Sequence, residues 1–342
     1  MGAALHYKIK PETELIYAFN FGTGTTVYQG DNRYSLKDIL FFQNKLEWSK
    51  KDKFFIRAYA TNENAGKSYD AVFTALLLQD RAKNMAQWTT DYRNFWAGAV
   101  PATSPNYVPG GMKGNVKKLP GFPVQGGPPD YYYNYDLADA IMQNNAASME
   151  LWHSYARYYA DNAGNTPFLV PGTTEYNDAF NDVVSKATYG EGGSKFIDKS
   201  ALYHLHGEYK FTPKPADITV GASYRLYTPN SQGTIFSDTN GIKITNYEFG
   251  VYVGLEKKIL TDRLKLNVTT RLDKNQNFDF VVSPAASIVY TLKKENILRL
   301  SFSSAVRNPT LQDQYLYYNV GRAILVGNIN GFDSLVSIES IK

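Results

Sequence analysis

The sequence predicts an all-β fold: an antiparallel, up-and-down transmembrane β-barrel, partial and open, of about ten strands, with one large, partly helical insertion. Three observations carry that prediction. Apolar and polar residues alternate strictly through most of the chain, the alternating stretches are long, and the connections between them are sorted by length.

Taken in order, the alternating stretches 3–10 and 14–22 meet at "KPET" (10–13), and 38–49 and 52–62 meet at "SKKD" (49–52). After a long gap, 199–211 and 216–228 are joined by "TPKPA" (212–216). The pattern is cleanest next. In "NYEFGVYVGLEKK", Tyr247, Phe249, Val251, Val253 and Leu255 alternate with Glu248, Gly250, Tyr252, Gly254 and Glu256. In "RLKLNVTTRL", Leu264, Leu266, Val268 and Leu272 oppose Arg263, Lys265, Asn267, Thr269 and Arg271. The stretches 278–292 and 296–306 complete the series around "KKEN" (293–296). Period-two patterning of this length means a sheet with one apolar and one polar face. Runs of ~9 to 13 residues exceed the usual globular mode of five or six. They match the ~9 to 11 residues of a tilted membrane strand.

Short connections lie at 10–13, 49–52, 212–216, 260–262 and 293–296. Long ones fall between them, at 23–37, 64–198, 229–244 and from 307 onward, and the connection at 273–277 is the one short exception. Tight turns at one end and long loops at the other belong to an up-and-down barrel in an outer membrane. Beside the lysines of the tight-turn end stand Trp48, Phe54, Tyr209, Phe211 and Tyr290 on the apolar face, placed as an interfacial girdle. Long side chains, among them Arg57, Glu208, Lys210, Arg225 and Arg299, occupy the polar face and suit a wide, wet interior.

The 64–198 segment differs. "DAVFTALLLQDRAKNMAQW", the stretch 135–160 and the stretch 174–187 carry helical periodicity, and a Pro/Gly-rich run from Pro101 to Pro129 separates the first two. A folded cap is expected there. Its aromatic cluster, including Tyr131, Tyr132, Tyr133 and Trp152, is the candidate ligand surface, although some rings must pack internally at three- and four-residue spacing.

Composition excludes several classes. The 342 residues contain no cysteine, so no disulfide or cysteine metal site is available. A net charge of +4, spread along the chain, gives no reason to expect nucleic acid. No apolar run reaches the ~18 to 20 residues of a spanning helix. "MGAALHYKIK" carries no signal-peptide pattern and reads as strand. No HExxH, P-loop or GxSxG occurs, and Gly22-x-Gly24 is too short for a dinucleotide fingerprint. His204, His206 and Glu208 share one strand face, an arrangement read as polar lining rather than a metal site. Glu150, Asp161, Glu175 and Asp178 offer carboxylates for sugar hydrolysis, but no spacing selects a pair. No catalytic residue, cofactor or metal ligand is assigned.

"LRLSFSSAVRNPTLQDQYLYYN" resembles the corner of TonB-dependent outer-membrane receptors, where a strand ends in an Arg-x-Pro-Ser/Thr element with an aromatic soon after. "GRAILVGNINGFDSL" resembles that family's Gly-Asn element. The N-terminal third, "ALHYKIKPETELIYAFNFGTGTTVYQGDNRYSLKDI" and "KFFIRAYATNENAGKSYDAVFTALLLQ", is similar to barrel strands of the branch with a carboxypeptidase-regulatory-like N-terminal domain. The resemblance implies an energy-coupled importer in the cell outer membrane, taking up a siderophore, cobalamin, oligosaccharide or peptide. Its implied partners are membrane lipid, the TonB complex through a plug, the solute and a surface lipoprotein. It also implies that Arg307, Asn308, Pro309 and Thr310 form an extracellular strand-end corner, with Arg307 at headgroup level and the following glutamines and tyrosines in a solvent-facing loop. Neither a plug nor a TonB box is found, and the chain ends "SIESIK", so 1–342 reads as the middle of such a barrel. The rival readings are an outer-membrane or surface carbohydrate-active enzyme or binding protein that uses 64–198, and a soluble aromatic-rich β-protein.

Overall fold

The alternation becomes one continuous antiparallel ladder. The structure is a computed structural model and describes residues 1–29, 33–104, 107–122, 135–163, 169–188, 190–293, 296–319 and 324–331. Its strands are β1 (Gly2–Lys10), β2 (Thr13–Gln29), β3 (Arg33–Lys50), β4 (Phe54–Asn64), β5 (Tyr69–Asp70), β6 (Ala201–Phe211), β7 (Asp217–Thr228), β8 (Asn246–Ile259), β9 (Leu264–Asn275), β10 (Phe278–Lys293) and β11 (Asn296–Ser303). All except the short β5 pair in sequence order, from β1 at one edge to β11 at the other; β5 pairs with β3. Among the described residues β1 pairs only with β2 and β11 only with β10, so the sheet is open there, as expected.

Two strands are longer than the alternation indicated. β2 continues past Gly22 and β3 begins before Asp38, so most of the loop expected at 23–37 is hairpin. The irregularity is confined to a register shift between Gly24 and Thr26 and a positive φ of 55° at Asp38. A bulge of this kind costs little when the ladder resumes beyond it. At the far end, β11 stops at Ser303 rather than at 306.

The two faces of the wall differ as the period requires. On β8, Tyr247, Phe249, Val251, Val253 and Leu255 are exposed, while Glu248, Tyr252 and Glu256 are half-buried on the other side. The register sets Val251 beside Leu272 and Leu255 beside Val268, which continues the apolar face onto β9. Leu46, Ile56, Leu205 and Val220 extend it across β3, β4, β6 and β7. An apolar surface running over so many strands far exceeds what water tolerates on a monomer. Near the tight turns, Trp48 meets Phe54 edge-on at 4.9 Å, Phe54 stacks on Tyr209 at 6.4 Å, and Tyr209 meets Phe211 at 4.5 Å. Lys53 lies 4.9 Å over the Tyr209 ring. The girdle is therefore a connected row of rings across three strands.

Residues 1–71 with 184–342 form one compact unit, and 72–183 form another. The second contains α1 (Ala71–Ala82), α2 (Met85–Ala97), α3 (Gly111–Val116), α4 (Tyr135–Asn144), α5 (Ala146–Asn162) and most of α6 (Thr174–Ser185). The helix expected over 135–160 is two, broken at Asn145, whose backbone leaves the helical region. Asn84 caps α2 by accepting from the Gln87 amide at 2.8 Å, and Gly98 ends it with φ 77°. Phe95, Met112 and Ala156 form the core of this unit. Lys83 is buried, yet its ammonium donates to the Ala160 and Ala163 carbonyls at 2.6 Å and pairs with Asp91 at 2.9 Å. All three of its protons find acceptors, which makes its burial tolerable.

Candidate functional site

The inner face of the wall carries the charges. On β6, His204, His206 and Glu208 share it, with the two imidazoles stacked 6.0 Å apart. His206 Nε2 lies 3.1 Å from the Tyr252 hydroxyl, which donates to Glu208 at 2.6 Å. Tyr252 can lie along the wall because residue 221 is glycine; a Cβ there would stand 2.2 Å from its ring. Arg271 sits 5.7 Å over the same ring, pairs with Asp273 at 2.8 Å and donates to Ser223. The phenol of Tyr252 thus holds Glu208 beside the two imidazoles. The described residues contain no group of three His, Cys, Asp or Glu placed to hold a metal. Neither His204 ring nitrogen has a partner among the described residues; the ring packs edge-on against Tyr59 at 4.8 Å.

The strand-end corner closes over this wall. After β11, Thr310 caps the short helix α7 (Leu311–Tyr315): its hydroxyl accepts from the Asp313 amide, and the Asp313 carboxylate accepts from Thr310 N at 2.8 Å. The Thr310 hydroxyl also donates to that carboxylate at 2.7 Å, and this bond first, with the amide's second, holds the Asp313 carboxyl below its usual range. The expected solvent-facing run of glutamines and tyrosines is thus corrected. Gln314 is 2% exposed and turns inward, accepting from Asn246 at 3.0 Å and Asn277 at 2.8 Å while donating to the Pro309 carbonyl. Asn275 bonds Asn246 and Glu248, and Asn308 bonds Glu248 at 3.0 Å. A polar segment with amides at both ends satisfies buried donors better by folding back than by hydrating in a loop. Beyond it, β12 (Tyr317–Asn319) pairs with β13 (Ile324–Val326). Gly327 approaches the Gln314 backbone so closely that a Cβ would fall 2.5 Å from it.

Between corner and wall lies a groove of about 530 Å³, bordered by Arg225, Glu248, Arg271, Asp273, Arg307 and Asn308 among others. Its cations are partly neutralised: Arg225 stands 3.6 Å from Glu248 and Arg271 is on Asp273. These half-exposed pairs are each worth ~0 to 1 kcal/mol, so they shape the surface more than they stabilise it. Arg307, Asn308, Pro309 and Thr310 all border this groove.

Of the aromatic candidates, Tyr131, Tyr132 and Tyr133 lie outside the described residues. Trp152 is half-buried on α5 and packs on the Phe95–Met112–Ala156 core. Sequence reading overlooked a different set. Trp88, Tyr92 and Trp96 recur every four residues on α2 and stack in turn at 5.4 and 6.3 Å, with His153 4.6 Å from Trp96. It also overlooked the amide cluster of Asn246, Asn275 and Gln314. The signal was there: asparagines at strand ends and a glutamine five residues past the corner proline.

A wall of long antiparallel strands paired in sequence order, apolar on one face and polar on the other, defines the class as an outer-membrane β-barrel. A sequence model of the family described as "TonB dependent receptor-like, beta-barrel" matches residues 87–335, and the chain belongs to that family. It is a family of receptors and transporters rather than enzymes. Among solved structures, the siderophore receptor PirA from Pseudomonas aeruginosa aligns with 96% of this chain and 39% of its own, at 12% identity and TM-score 0.47. A mutant of the ferric enterobactin receptor PfeA from Pseudomonas aeruginosa aligns over 91% of this chain and 33% of its own, at 11% identity and TM-score 0.43. The chain thus spans well under half the length of those receptors. No curated protein matches it.

Proposed function

We propose that this chain is wall and loop of an outer-membrane receptor that imports a scarce, large solute with energy delivered by TonB through a plug. The observation that supports this most is the division of the wall. One face is apolar across the strands, and the other carries Glu208, Arg225, Arg271 and their partners. Such a surface needs lipid on one side and water or protein on the other. The solute is of the size of a siderophore, cobalamin, oligosaccharide or peptide. The chain itself holds no residue assigned to covalent chemistry, and the insertion at 64–198 is read as part of the capture apparatus, since binding sits on loops carried by a rigid scaffold.

Deletion of residues 100–190 from the intact receptor is the test. The expected outcome is a folded, membrane-extracted barrel that no longer supports uptake of its solute. Unchanged uptake would reduce the insertion to a cover and remove it from the capture step.

A further inference from the structure

At the loop end of the inner wall lies a second cavity, of about 360 Å³, within the range of small-molecule pockets. Phe41 and Glu63 face each other across β3 and β4, in phase with Glu47 and Arg57, so both belong to the inner face. Tyr28 and Phe41 leave 55% and 44% of their area uncovered, and Leu316 adds apolar surface. Into this wall are set two carboxyls, Glu63 and Asp198, close enough for each to act on the other's charge. Asp198 also accepts from the Ser200 amide at 3.0 Å and from its hydroxyl. Among the described residues that line the cavity there is no lysine or arginine. The further charge nearby, Asp238, has the same sign and is already held by Ser231 and Gly233.

We infer that this cavity binds a small organic cation, an amine or quaternary ammonium on an aryl or alkyl body, with Glu63 and Asp198 as its counter-charge and Phe41 and Tyr28 against its body. The contrast with the rest of the wall supports this assignment. Glu47 pairs with Arg57 at 2.7 Å, Glu256 with Lys265 at 2.9 Å, and Asp273 with Arg271 at 2.8 Å. Only at this cavity, among these described wall carboxylates, do two acids meet without a base. Burial holds the Asp198 carboxyl above its usual range, as it must when the compensating charge is missing. An anion would be repelled here, and a neutral body would gain only apolar contact. A cation gains the Coulomb attraction and the faces of two rings as well.

This inference rests on the uptake reading and names the chemistry of one solute. It is tested separately, on the detergent-purified full-length receptor, by calorimetric titration with phenethylamine and with its uncharged counterpart phenethyl alcohol at neutral pH. Phenethylamine should bind about tenfold or more tightly than the alcohol. The double substitution Glu63→Gln, Asp198→Asn should bring the amine down to the level of the alcohol and leave the alcohol unchanged. Phe41→Ala should weaken both. Equal affinities for the two probes on the unaltered receptor would overturn the site, and so would an amine preference that survives the double substitution. If the double variant does not fold, the comparison on the unaltered receptor decides. Binding is read without TonB or transport, so a negative result removes this site and leaves the uptake reading standing.

Discussion

At the scale of single residues, what holds the wall in place differs on its two faces. Outside, Val251 and Val253 lie midway along β8 with no protein over them. Val251→Arg places a charge in hydrocarbon and should destabilise the membrane-inserted intact receptor by ~2 to 4 kcal/mol. Asn267→Arg, on the inner face of β9, should cost less than about 1 kcal/mol by the same denaturant titration. Equal costs on the two faces would reverse the assignment. Over the inner wall, the decisive residues are amides. Gln314→Leu keeps the volume but removes an acceptor from Asn246 and Asn277 and leaves each the Tyr315 hydroxyl; exposed Asn277 can turn to water, whereas buried Asn246 keeps a donor without a partner. The expected loss is ~1 to 3 kcal/mol, read as faster hydrogen exchange across 304–316.

Among elements, α7 shows most clearly what the sequence disclosed and what it hid. Long strands were legible because their period is two and their environment is two-sided. The ranges 246–258 and 263–272 were readable residue by residue, since Phe249, Val251 and Val253 had to face away from Glu248 and Glu256. The extension of β2 through "TGTTVYQ" was not legible, because threonine and glycine do not mark a face; cross-strand pairing with β3 decides it. The sequence places a strand-end corner at Arg307 to Thr310 and reads its continuation as hydrated loop; in the structure β11 ends at Ser303 and the continuation folds into α7. The capping signal Thr310-x-x-Asp313 was present. Five residues are too few for helical periodicity to register, and the partners of Gln314 come from strands about 40 to 70 positions away, invisible locally. Two predictions belong to this element. Thr310→Ala removes the cap and should cost ~1 kcal/mol, seen as lost exchange protection confined to α7. Because the Asp313 carboxyl titrates below its ordinary value of 3.8, its contribution is complete above that pH. It is lost as the pH falls through the lowered value, so protection of α7 in the unaltered receptor should drop only in that acid range. Asp313→Asn should abolish the pH dependence.

For the whole molecule, the open sheet sets the constraint. β1 and β11 each present an edge with no ladder partner among the described residues. Unpaired backbone is not tolerated in hydrocarbon, and in water it recruits other edges. The isolated 342-residue chain should therefore neither insert as a heat-modifiable barrel nor remain monomeric, as sedimentation of the refolded chain would show. Within the intact receptor both edges should be paired and exchange slowly.

The central claim is that one face of this wall meets lipid and the other meets the aqueous or plug-filled interior. It is tested most directly by spin-labelling successive residues 247–256, one cysteine at a time, in the intact receptor reconstituted in bilayers; the chain contributes no cysteine of its own. Collision with molecular oxygen, which concentrates in lipid, and with a water-soluble nickel chelate is then measured at each position. Collisions should follow a period of two: oxygen high at Tyr247, Phe249, Val251, Val253 and Leu255, and low at Glu248, Gly250, Tyr252, Gly254 and Glu256. Accessibility without that period, or nickel collisions highest at Val251 and Val253, would contradict it.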